Sequence, residues 1–95
     1  MLNSLLKKCL FKDYSKKAVF TCLHIIEHNS PILYVKHDND GDWQFLCGEN
    51  HTTKDARIVA LQEMINIDPS VSKISNLKRG QTAVRENQES EWMLL

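Results

Sequence analysis

The clearest structural signal in the chain is His37-Asp38-Asn39-Asp40-Gly41-Asp42-Trp43-Gln44-Phe45-Leu46-Cys47-Gly48. An apolar run, Pro31-Ile32-Leu33-Tyr34-Val35, leads into it. A Gly following Asp or Asn between two such runs is the strongest short-range signal of a β-hairpin. Gly takes positive φ at no steric cost, and Asn and Asp tolerate it better than most residues. Successive side chains of a strand face opposite ways, so Trp43, Phe45 and Cys47 share one face and Gln44 and Leu46 the other. The aromatic face is the one expected to be buried.

Upstream, Asn29-Ser30-Pro31 is a turn, because Pro disfavours helix at the residue before it. Val19-Phe20-Thr21-Cys22 has strand composition. The segment 23–29 fits either a continued strand or one helical turn. Earlier still, Leu2, Leu5, Leu6, Cys9 and Leu10 fall at helical spacing and predict an amphipathic helix over 2–12. It belongs to a basic arm, 1–17, attached to a single domain, 18–95.

Downstream, Gly48 to Asp55 is a polar loop. Apolar residues at 58, 61, 64 and 65 then fit a helix face, or a short strand at Ile58-Val59 leading into a helix over Leu61–Ile67. Asp68-Pro69 is a helix start, with Asp as N-cap and Pro at the first helical position. Val71, Ile74 and Leu77 mark one face of that second helix, and Lys78-Arg79-Gly80 suits its end. Strands over 81–86 and 91–93 close the chain. The expected class is α+β: a small, mostly antiparallel sheet of about five short strands with two or three helices.

The 95 residues carry no net charge with His neutral, so no whole-chain attraction for nucleic acid is expected. The charge is uneven. Residues 1–17 hold five lysines against Asp13 alone, a net +4, and the rest hold seven basic against eleven acidic groups, a net −4. Three widely spaced cysteines, Cys9, Cys22 and Cys47, argue against a disulfide framework and for a reducing, cytoplasmic setting. No run is long enough for stable membrane insertion, and the 2–11 stretch lacks the features of a secretory signal.

Asp38, Asp40 and Asp42 invite a calcium reading, since Glu49 falls twelfth from Asp38. Gly41 falls fourth instead of sixth, however, and a strand fills the rest of the loop, so the EF-hand pattern fails. A second group is Cys22, His24, Cys47 and His51. Zinc takes four thiolate or imidazole ligands in a tetrahedron, and Cys47-x3-His51 has chelate spacing, although no Cys-x2-Cys pair is present. Buried cysteines serve equally well as small core residues. A thiol nucleophile at Cys47 with His37 or His51 as base would need a contact that spacing does not establish, and no oxyanion hole or phosphate loop accompanies it. Trp43 and Trp92 read as core or edge aromatics. Arg57, Arg79 and Arg85 read as surface ion-pair residues of small energetic weight.

The ordered set Gly41-x-Trp43-x-Phe45 with Gly48, then Asp68-Pro69, then Gly80, Arg85 and Trp92, resembles a family of small bacterial domains classed among the immunity proteins of polymorphic toxin systems. The resemblance spans roughly residues 31–92. It departs in the loop 49–56, which is shorter and less acidic, and leaves the N-terminal arm unmatched. It implies an α+β fold and binding to a cognate toxin, with no enzymatic activity to carry over. The matched residues read as structural: a turn Gly, core aromatics and a helix cap.

The leading expectation is therefore a non-enzymatic, cofactor-free protein-interaction domain, with Asp38, Asp40, Asp42, Trp43, Glu49, His51 and Asp55 as its partner-binding surface. The rival is a metal-binding protein using Cys22, His24, Cys47 and His51. Convergence separates the two, because ligands must meet within bonding distance of one ion, whereas core cysteines need only apolar neighbours.

Overall fold

A computed structural model describes residues 16–50 and 52–95. The amphipathic stretch 2–12, most of the basic arm, Cys9 and His51 lie outside the described residues.

The elements in order are β1 (Ala18–Cys22), α1 (Leu23–His28), β2 (Tyr34–His37), β3 (Trp43–Leu46), β4 (Ala56–Ala60), α2 (Leu61–Ile67), β5 (Thr82–Val84) and β6 (Met93–Leu94). Short 3-10 segments cover Thr53–Asp55 and Pro69–Ile74. The six strands form one sheet in the order β4-β1-β3-β2-β5-β6. Among the described residues, every pairing is antiparallel except β1 with β3. The fold is α+β, with one strand more than the expected five.

The hairpin is β2–β3, in the register Val35↔Phe45 and His37↔Trp43. Asp38 N–H donates to the Asp42 carbonyl at 2.7 Å, and Gly41 N–H donates to the Asp38 carbonyl at 2.9 Å. Three residues thus turn the chain, the last being Gly41 at φ +95°, the conformation that closes a three-residue hairpin loop. Trp43, Phe45 and Cys47 are all buried, as the period-2 pattern predicts.

The ambiguous segment 23–29 is helix α1. Its strand-like predecessor ends at Cys22, and Asn29 terminates it in the left-handed region at φ 57°, where Asn is tolerated. Residues 56–60 are strand β4, not helix. They pair antiparallel with all of β1, and Leu61 N–H extends the ladder to the Lys17 carbonyl at 2.8 Å. The chain then coils into α2, which buries Leu61 and Met64.

Asp68 caps the next segment as expected, accepting from Ser70 N–H at 3.0 Å, with Pro69 following. The segment is a 3-10 helix that stops at Ile74, so Leu77 and Gly80 lie beyond it. Gly80 instead belongs to a tight turn in which Gln81 N–H reaches the Lys78 carbonyl at 2.9 Å.

The helices cover one face of the sheet. Val19, Ile25, Val35, Phe45, Leu61 and Val71 meet there with almost no exposure. The opposite face is left open among the described residues, where Phe20 and Ile58, cross-strand neighbours, are 39% and 65% exposed. No described helix is long and apolar enough to cross a membrane.

Arg85 corrects the surface reading given above. Its side chain is 1% exposed and ion-paired with Asp68. Its Nε donates to the Ile32 carbonyl at 2.9 Å, its Nη1 to Ser70 Oγ at 2.9 Å, and Trp92 lies over the guanidinium at 4.1 Å. Arg57 does sit at the surface, 3.6 Å from Glu27.

Candidate metal centre

Cys22, His24 and Cys47 converge. One ligand atom from each lies within 4.8 Å of the other two. Cys22 Sγ is 3.7 Å from Cys47 Sγ, and Cys47 Sγ is 3.7 Å from His24 Nδ1.

The topology produces this meeting. Because β1 and β3 run parallel in the register Phe20↔Gln44, both strands end at the same edge of the sheet. Cys22 is the last residue of β1 and Cys47 follows the last residue of β3. A hydroxyl reinforces the pairing: Thr21 Oγ1 donates to the Phe45 carbonyl at 2.8 Å, in the buried layer just before the cysteines. After Cys22, at φ −125° and ψ 157°, the chain turns directly into α1, and His24 in its first turn comes back over the thiols. A continued strand would have carried it onward.

Sulfur and nitrogen ligands at about 2.3 and 2.0–2.1 Å from a tetrahedral zinc lie about 3.6–3.8 Å from each other. The Cys22–Cys47 and Cys47–His24 distances match that edge. Two thiols separated by 3.7 Å are also simply in van der Waals contact, and the thiol pair is buried, with 1% and 4% exposure. Burial pushes the Cys47 thiol pKa up, a backbone hydrogen bond at Glu49 opposes this, and the neighbouring Cys22 thiol adds to the rise. A divalent cation reverses such a balance, since the two negative charges of a thiolate pair offset its own.

A cavity of about 290 Å³ opens beside the cluster, with Phe20, Cys22, Leu46, Thr52, Asp55 and Ala56 in its wall. Asp55 also accepts from Thr52 N–H at 3.0 Å, in a reciprocal capping box that shapes the loop after Cys47.

The residues expected to bind a partner do not form one patch. Asp38, Asp40 and Asp42 sit at the hairpin end of β3, whereas Glu49 and Asp55 belong to the loop at its other end. Asp42 and Cys47 bracket the strand, about 16 Å apart along it at 3.3 Å per residue. Asp38 is engaged within the fold, accepting from Gln44 Nε2 at 2.8 Å with Lys36 Nζ at 3.9 Å. Asp40 is exposed and accepts from Asp42 N–H at 3.2 Å. Trp43 is 5% exposed, stacked on His37 at 4.2 Å and on Phe45 at 6.1 Å, so it is a core aromatic and presents no surface anchor. Glu49 is exposed and Asp55 half-buried, while His51 is outside the described residues. His37, a candidate base for Cys47, sits at the hairpin end of the sheet, stacked on Trp43, with its Nδ1 2.8 Å from the Leu77 carbonyl.

The Asp68–Arg85 pair, unforeseen as a buried feature, is a structural knot binding the 3-10 segment to β5.

Comparison with family models, with curated proteins and with solved structures returned no match to this chain.

Proposed function

We propose that this protein binds one zinc ion through Cys22 Sγ, Cys47 Sγ and His24 Nδ1. One observation carries the reading: donors of the types zinc prefers, from segments 25 residues apart in sequence, converge within 4.8 Å, with Cys47 Sγ at a tetrahedral edge distance, 3.7 Å, from both Cys22 Sγ and His24 Nδ1. Three donors come from the described residues, and zinc fills its remaining position with a further ligand. The ion would tie the ends of β1 and β3 to the first turn of α1. Because unfolded chain offers no preformed site, zinc would also stabilise the fold. The test is metal content of the purified full-length protein after zinc loading and gel filtration. One zinc per chain, lost in both Cys22→Ser and Cys47→Ser, supports the reading; a wild-type chain that retains no zinc contradicts it.

A second reading, binding of a cognate toxin as the resemblance implies, is favoured by the acidic hairpin turn, where Asn39 and Asp40 are exposed. Charges in such a turn would act mainly on association rate and specificity. It is tested by the affinity for that toxin of a chain with Asp38, Asp40 and Asp42 all changed to Ala. Reduced affinity supports this surface, and unchanged affinity contradicts it.

A further inference from the structure

We infer that Cys22 and Cys47 form a peroxide-oxidised disulfide, with Cys22 the thiol attacked first. The thiol chemistry stands on the geometry of the pair; its consequence for zinc rests on the reading above.

The two sulfurs are already in contact at 3.7 Å, and no bond joins them. A disulfide needs about 2.05 Å, so the sulfurs must close by about 1.7 Å. Both residues are placed to permit that. Each sits at the end of its strand, and Cys47 leads into the exposed residues Gly48, Glu49 and Asn50.

Access sets the order of events. Cys22 is almost without solvent exposure, yet it forms part of the wall of the cavity of about 290 Å³, whereas Cys47 does not. A molecule of two oxygen atoms fits that space. Hydrogen peroxide would transfer one oxygen to the Cys22 thiol, giving a sulfenic acid and releasing one water. The Cys47 sulfur then attacks the Cys22 sulfur. The S–S bond forms, the S–O bond breaks, and the hydroxyl leaves as a second water with the Cys47 proton. Two thiols lose two electrons in total, and the peroxide is reduced to two waters.

The disulfide removes two of the three described zinc donors, since neither sulfur remains a thiolate. Oxidation would therefore release the ion, and bound zinc would protect the pair. The site becomes a switch between a metal-held and a disulfide-held state of the same sheet edge.

The test uses the full chain, metal-free and zinc-loaded, treated with hydrogen peroxide and analysed by intact mass and peptide mapping. The metal-free protein is expected to lose two hydrogens, with Cys22 linked to Cys47. A link through Cys9, or a gain of oxygen atoms without any link, overturns the proposal. In Cys47→Ser the sulfenic acid is expected to persist on Cys22 and be trapped by dimedone. Labelling of Cys47 in Cys22→Ser that is equally fast overturns the order of attack. Zinc-loaded protein is expected to keep both thiols under the same dose. If the chain binds no zinc, the metal reading fails while the metal-free oxidation result still decides the disulfide.

Discussion

Cys22 Sγ and Cys47 Sγ lie 3.7 Å apart because β1 and β3 are parallel neighbours, the one parallel pair among the described strands. A parallel pair brings like ends together, and here each end carries a thiol. The Thr21 hydroxyl spans the same two strands one residue earlier. Thr21→Val keeps the shape and removes that bond, leaving the Phe45 carbonyl without this donor. A loss of about 1 kcal/mol is expected, read from the denaturant midpoint. Zinc affinity is expected to fall with it, because the variant loosens the strand pair that holds both sulfurs.

The buried Arg85 is ion-paired with the partly buried Asp68, and the two also bond to Ser70 and Ile32. Asp68→Asn preserves a capping side chain but removes the charge, so the buried guanidinium loses its counter-ion. Breaking such a pair from one side costs about 3–5 kcal/mol. For a chain of this size a thermal midpoint lower by roughly 15–25 °C is expected. Arg85→Lys is expected to fail similarly, since an ammonium cannot reproduce the planar fork that reaches Ser70 and Asp68 together.

The same carboxylate makes the fold acid-sensitive. Burial alone would raise the Asp68 pKa, but hydrogen bonds from Ser70 and the Arg85 guanidinium outweigh it and hold the value below the ordinary one. A folded-state pKa below the unfolded value adds stability that is present above the unfolded pKa, about 4 for aspartate, and is lost as pH falls through the folded value. Urea midpoints measured from pH 6 downward are expected to decline below about pH 4, and this component is expected to be missing in Asp68→Asn.

Gly41 closes the hairpin at φ +95°, and a Cβ there would come within 3.0 Å of Arg79 Nη2. The long arginine side chain can swing aside, so the backbone sets the cost. Gly41→Ala is expected to lose about 1–2 kcal/mol. A thermal melt checks this, and an unchanged midpoint would show that the turn has another conformation.

Local signals made part of this legible. Asn-Asp-Gly and the alternation of Trp43, Phe45 and Cys47 placed the hairpin and its buried face, and Asp68-Pro69 placed a cap. The reading failed where distance in sequence decides. Residues 56–60 suit a helix or a strand, and only pairing with β1 selects the strand. Arg85 resembles any surface arginine until Asp68, Ser70 and Ile32 are folded around it. The candidate metal residues were named from their chemistry, but their convergence depends on two things the sequence does not announce: the parallel β1–β3 pair and the sharp passage from Cys22 into α1. The acidic turn and the loop after Cys47, expected in one surface, lie at opposite ends of strand β3.

Cobalt titration of the metal-free protein reads the proposed ligand set from the metal itself. Tetrahedral cobalt bound by two thiolates and an imidazole absorbs visibly and shows sulfur-to-metal charge transfer in the near ultraviolet. The expected result is saturation at one equivalent, reversal by zinc, and loss of the charge-transfer band in a folded Cys22→Ser, Cys47→Ser double variant. A spectrum no different from cobalt in buffer would contradict the account, and Cys22, His24 and Cys47 would then be core neighbours and nothing more.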